Sequence, residues 1–178
     1  LQSTDTVIES KDIVVVEFDE AAIEAFGQWP WPRDYLADVV NHLREQGAGL
    51  IILPILFSEE DRAGKDGVFA ETLQGNGVII AQTGTTQTNK NAVPRGIAKI
   101  GDPIPWLFEW AGMLGPIPIL GESADGVGVL NIAPERDGVV RRMPLIMTVA
   151  GETYPALAIE AIRVATQAPS YQVKAGAT

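Results

Sequence analysis

Hydrophobic and polar positions along this chain change period several times, and each change marks an element. Residues 12–18 are β-branched and apolar on both faces, the pattern of a buried strand. Asp19 follows, with a side chain suited to accept from the free amides of a helix over residues 20–26 that Gly27 closes. Trp29-Pro30-Trp31-Pro32 reads as a rigid connector. A second helix is predicted over residues 33–46, where Leu36, Val39, Val40 and Leu43 keep the spacing of one buried face. Pro32 suits its first helical position and Gly47 the residue just past its end. Residues 50–57 form a second apolar run. Pro54 inside it has no donor for a ladder, so it implies an edge, a bulge or an early stop.

A charged loop over residues 58–67 separates that strand from a helix at 68–73, closed by Gly75, and from a third strand at 78–81. Strand, helix and strand at such intervals favour a parallel sheet with helical crossovers. The alternation then breaks. Residues 83–105 are polar and rich in Thr, Asn, Gly and Pro, too long for an ordinary connection. Further on, the pattern predicts a short aromatic helix at 106–110, a Pro-rich stretch at 115–119 and a strand at 128–132. Residues 139–143 and 144–149 are expected to pair as a hairpin, and a last helix runs over 156–165 with Leu157, Ile159, Ile162 and Val164. The expected fold is α/β: one domain over residues 1–178, its core at about 12–166. It has a mixed, mostly parallel sheet with helical crossovers and an added antiparallel hairpin.

Composition narrows the function. The chain has 178 residues and 46% hydrophobic content, and Lys plus Arg 13 against Asp plus Glu 23 gives a net charge of −10. Size scaling lets a chain of this length bury roughly 70% of its surface, enough for a core without staples. The acidic balance argues against nonspecific nucleic-acid binding and against docking on an anionic membrane. There is no cysteine, hence no disulfide, thiolate metal site or cysteine nucleophile. The longest apolar run, residues 49–57, is too short for a membrane span. No signal peptide is visible at the start, and a chain that opens on Leu1 reads as an excised part of a longer protein.

Candidate chemistry is sparse. In open α/β sheets ligands collect beyond the carboxyl ends of parallel strands. Three loops are expected to meet there: Asp19-Glu20, Ser58-Glu59-Glu60-Asp61 and Gln82-Thr83-Gly84. Their carboxylates suit a divalent cation or acid/base work, or else Asp19 is a cap and the acidic run a solvated loop. His42, the only histidine, lies off the apolar stripe and reads as exposed rather than catalytic. No nucleophile elbow, P-loop or dinucleotide fingerprint is present. Trp29 and Trp31 offer an aromatic wall with the Arg33 fork beside it for a carboxylate; the alternative is an apolar lid with Arg33 paired to an internal acid. Asp137-Gly138 reads as a tight turn opening a strand that carries Arg141 and Arg142.

These strings, taken in order, resemble the type-two CHASE domain, the extracytoplasmic sensory module of bacterial adenylate cyclases, histidine kinases and serine/threonine kinases. The likeness is carried by Val14-Val15-Val16-Glu17-Phe18-Asp19-Glu20 with Trp29-Pro30-Trp31-Pro32-Arg33, and by Gly47-Ala48 through Ile55-Leu56-Phe57-Ser58-Glu59. It continues in Gly126-Val127-Gly128 through Asn131, and in Asp137-Gly138-Val139-Val140-Arg141-Arg142 with Tyr154-Pro155-Ala156-Leu157-Ala158. Pro54 departs from the family, which commonly has an aspartate just before this Ile-Leu-Phe. The resemblance implies a periplasmic or extracellular sensor of a bacterial inner-membrane protein. Such a sensor would be joined to the membrane by flanking helices outside this chain and would regulate a cytoplasmic cyclase or kinase. It implies no catalytic residue, cofactor or metal of its own, and a homodimer is the expected assembly. A small-molecule or envelope stimulus would be sought at Asp19, Trp29, Trp31, Arg33, Ser58, Glu59 and the 83–105 loop. The alternatives are a ligand-free partner-binding module and a metal-dependent hydrolase built on Asp19 and the acidic loop.

Overall fold

A computed structural model describes residues 12–87, 90–131 and 137–175. The chain divides into two units, Leu1–Trp31 and Pro32–Thr178.

In the first unit the expected helix forms. Helix α1 (Glu20–Phe26) is capped by Asp19, whose side chain accepts from the Ala22 amide at 2.9 Å, and it ends at Gly27 with φ of 87°. Phe18, Trp29 and Trp31 gather in one aromatic cluster, with Phe18 to Trp31 at 5.0 Å and Trp29 to Trp31 at 5.6 Å, and Phe26 packs edge-on to Trp31. The Trp31 indole donates to the Gly27 carbonyl at 2.7 Å, and the Trp29–Pro30 peptide is cis. The strand expected over residues 12–18 is absent. The segment pairs with no strand among the described residues, and Ile13, Val14 and Val15 are 74%, 81% and 85% exposed. An apolar β-branched run becomes a strand only where an edge takes up its hydrogen bonds.

The second unit opens with α2 (Arg33–Glu45), preceded by Pro32 as its N-cap and followed by Gly47 at φ of 93°. Leu36, Ala37 and Val40 are its buried face, and α2 packs on α3 (Asp66–Leu73). Between them runs β1 (Ile51–Leu56), parallel to β2 (Val78–Thr85). Their register shifts between Leu53 and Leu56, around Pro54, and among the described residues β2 is the one strand β1 pairs with. The proline therefore sits both at a bulge and on an edge strand, as its missing donor requires.

Beyond β2 the chain forms β3 (Ile97–Ile100), a 3-10 turn (Ile104–Trp106), β4 (Phe108–Glu109), β5 (Gly112–Leu114), α4 (Pro118–Ser123) and β6 (Gly126–Val129). Then come β7 (Ile146–Val149), β8 (Glu152–Pro155), α5 (Leu157–Ala165) and β9 (Tyr171–Lys174). Strand β2 is central: parallel to β1 and, along Ile79–Gln82, to β6, then antiparallel to β5 along Thr83–Thr85. Strands β4, β7 and β8 make a second sheet, and β3 pairs in parallel with β9. This is an α/β fold with mixed, mostly parallel pairing. Helix α5 lies so close on β6 that a Cβ at Gly128 would fall 2.5 Å from the Leu157 Cα. Met113, Val129, Met147, Val149 and Tyr154 form one buried cluster, and Ile79, Leu157 and Ala161 another.

In three places the structure departs from the pattern. The polar stretch 83–105 is not one loop: its start extends β2 and its end supplies β3. The aromatic helix at 106–110 gives way to the 3-10 turn and β4, with the Trp110 amide donating to the Thr148 carbonyl at 2.8 Å. Five residues gain too little from one helical turn to outweigh its nucleation cost. The hairpin exists but joins β7 to β8. Its two-residue turn is Ala150-Gly151, with φ of 50° and 83°, the double positive φ that closes tight hairpins. Residues 139–143 pair with no strand among the described residues.

Candidate functional site

The carboxyl ends of β1, β2 and β6 are where a doubly wound sheet would present a ligand crevice. Here their polar groups are turned on one another. After β6, Asn131 accepts from Thr83 Oγ1 at 2.9 Å and from the Gly84 amide, and its own amide donates to the Gly84 carbonyl at 3.2 Å. Gln82 is fully buried and grips Val93 at both ends: its amide donates to the Val93 carbonyl at 3.0 Å, and its oxygen accepts from the Val93 amide at 3.1 Å. After β1, Phe57 is buried and its carbonyl accepts from Ile117 at 2.8 Å.

Ser58 and Glu59 follow directly, and Arg33 comes to them from the first turn of α2. The Arg33 side chain is nearly buried, its Nε 3.4 Å from Asp66 Oδ1 and its Nη2 3.3 Å from the Glu59 carbonyl. Its guanidinium stands 4.5 Å over the Phe57 ring, which packs on Phe69. The acidic loop is organised locally. Asp66 accepts from the Asp61 amide at 2.7 Å and Asp61 from the Lys65 amide at 2.9 Å, while Glu59 and Glu60 are exposed. Of the residues singled out in the sequence, the structure thus brings Arg33 and Glu59 together in the second unit and Trp29 and Trp31 together in the first. Asp19 caps α1. Ser58 is half-buried beside Phe57 in the chain. His42 is exposed, 3.7 Å from Glu45. Asp137 accepts from the Val139 amide at 3.1 Å and pairs with Arg141 at 2.8 Å, so the expected tight turn forms. No group of three or more His, Cys, Asp or Glu suited to a metal ion occurs among the described residues.

The strongest polar cluster was not foreseen. Glu160 on α5 is fully buried, and both its oxygens are engaged. Oε1 accepts from Arg95 Nη2 at 3.0 Å and Arg163 Nη2 at 2.8 Å, and Oε2 from Arg163 Nε at 2.9 Å and the Tyr171 hydroxyl. Arg163 also reaches the Asp125 and Ala168 carbonyls at 2.8 and 3.1 Å. Burial alone pushes the Glu160 carboxyl up. The bonds from Arg163 and Tyr171 and the charges of Arg95 and Arg163 outweigh it and hold the group below the usual carboxylate range. Burial, then the bond to Glu160, pushes the Tyr171 phenol well above its ordinary value. Within the predicted last helix Glu160 looked like any polar position. Its close packing against Gly126, where a Cβ would come 2.8 Å from Glu160 Cγ, is visible only in the structure.

Strand order and packing define an α/β domain of parallel and antiparallel sheets. The family model of the CHASE2 domain matches residues 1–176, essentially the whole chain, and the protein belongs to that family. CHASE2 domains are extracytoplasmic sensory domains. No curated protein and no solved structure matches the chain. Among the described residues, no helix is long and apolar enough to cross a membrane.

Proposed function

We propose that this chain is the extracytoplasmic sensor of a bacterial transmembrane signalling protein. It detects a stimulus on the outer side of the inner membrane and biases a cytoplasmic cyclase or kinase through flanking membrane helices, with no catalysis of its own. The observation that carries this reading is the CHASE2 match over residues 1–176. A homodimer suits it, because paired membrane helices give a sensor something to move against. Driving an effector from 1:99 to 99:1 requires the stimulus to discriminate two states by about 5.5 kcal/mol.

The test is to read the parent gene on both sides of this chain and then assay its product in membranes. Membrane spans flanking the domain, a cyclase or kinase beyond them, and protease cleavage of the domain only from the outer face are expected. A reading frame with neither a span nor an effector domain overturns the proposal.

A second reading, a partner-binding module without a small ligand, is favoured by Trp106, 81% exposed, and Leu145, 60% exposed. It predicts a stable complex with another envelope protein and no thermal shift with any solute.

A further inference from the structure

The two-stranded ribbon of β3 and β9 is built differently from the rest of its unit. It pairs with no third strand among the described residues, and Ala98, Lys99, Ile100, Gln172 and Lys174 are exposed. Such a ribbon is marginal by itself in water. Three stretches of chain join it to the core; the one leaving β3 runs through exposed Gly101 and Asp102, and the two entering it are also open. Gly96 precedes β3, is exposed, and has open space where a Cβ would be; Pro169 and Ser170 precede β9 and are exposed.

Just outside these joints the chain is fastened. The Arg95 amide donates to the Thr153 carbonyl at 2.9 Å, and Thr153 Oγ1 donates to the Arg95 carbonyl at 2.7 Å. The Ala168 carbonyl accepts from Arg163. Across the joints stands one buried carboxylate. Glu160 holds the Arg95 side chain at the β3 entry and the Tyr171 hydroxyl, the first residue of β9. From these contacts we infer that the β3–β9 ribbon opens from the core as a separate cooperative element, with Glu160 as its latch and Tyr171 as the catch on the moving side.

The physical basis is a difference in what each part loses on opening. Releasing the ribbon exposes little apolar surface, because most of its side chains already face water. It does strip a hydrogen bond from a buried carboxylate, which raises the cost of opening through that one contact. Arg163 stays on Glu160 from the same helix, so the carboxylate keeps a cationic partner and the core need not unfold. The inference concerns a conformational equilibrium and stands whether or not the chain is a sensor.

Hydrogen exchange of the full chain tests it, with Tyr171→Phe as the variant that removes only the catch. Exchange of the Ile97–Ile100 and Tyr171–Lys174 amides is expected to rise at least tenfold, with the β2 amides of Val78–Thr85 unchanged. Glu160→Gln should act the same way more strongly. Equal acceleration of ribbon and β2 would mean that the contact supports the whole fold. No acceleration anywhere would mean that the ribbon is held by its apolar contacts. Either result overturns the proposal.

Discussion

The face of the Trp110 indole lies against the backbone of Gly84, so close that a Cβ at position 84 would fall 2.4 Å from the ring. Strand β2 carries Gly84, and Trp110 directly follows β4, so this contact joins the first sheet to the second. Trp110 also packs on the Met113, Met147 and Tyr154 cluster and points its N–H at Met147 Sδ, 3.4 Å away. Gly84→Ala is therefore expected to displace the indole and cost about 1–3 kcal/mol. Thermal denaturation reads the loss, and the Trp110 fluorescence should shift in the folded state.

Gln82 offers a second check on the same strand. Its side chain is a bridge between β2 and the segment carrying Val93. Gln82→Leu keeps most of the volume but leaves a donor and an acceptor of Val93 without their partner, at about 1–3 kcal/mol. Urea unfolding should show a lower midpoint with an unchanged slope. A leucine as stable as glutamine would mean that water replaces the bridge.

Arg33 holds α2 to the β1–α3 connection through a charge, a fork and a ring at once. Arg33→Lys keeps the charge but cannot span Asp66 and the Glu59 carbonyl together, and about 1 kcal/mol should be lost. Arg33→Met, which leaves Asp66 without its cation, should cost about 1–3 kcal/mol in the same denaturation assay. Should Arg33→Met lose a response to stimulus in the parent protein at unchanged stability, the arginine faces a ligand after all.

The Glu160 cluster contributes to stability at both ends of the pH range. Its carboxyl is held below the usual range, so its contribution is complete above an unfolded value of about 4.3 and is lost as pH falls through the lower folded value. Tyr171 is raised, so the stability that depends on its protonated phenol is complete below about pH 10 and declines above it. Urea midpoints measured from acid to alkaline pH should show a plateau falling on both sides. In Tyr171→Phe the alkaline fall should shrink, and the acid fall should shrink only in part, because the Arg163 bond and the Arg95 and Arg163 charges still hold Glu160 low.

Much of the architecture was legible from local chemistry. Asp19 before Glu20–Phe26, Pro32 before α2, and Gly47 and Gly75 after their helices are capping signals that act within a few residues. Pro54 implied an edge, a bulge or an early stop, and the first two are what form. Where pairing partners compete, the local pattern misled. Residues 12–18 and 139–143 carry strand-like runs, yet the described strands nearest in pattern pair elsewhere. Ala150-Gly151 decided the hairpin through two positive φ angles that hydrophobic periodicity does not register. The candidate site divides in the same way. The family was readable from four ordered strings, whereas the Glu160 cluster depends on Arg95 and Tyr171, 65 and 11 positions away.

What the sequence determined by itself is what short-range physics controls: helix ends, turn positions, the apolar runs that can become strands, and an acidic cysteine-free composition. Which run meets which, and which polar residue becomes the buried centre, was decided only by the tertiary structure. A carboxylate such as Glu160 survives burial only where distant donors converge on it, and their convergence follows from strand order and helix packing.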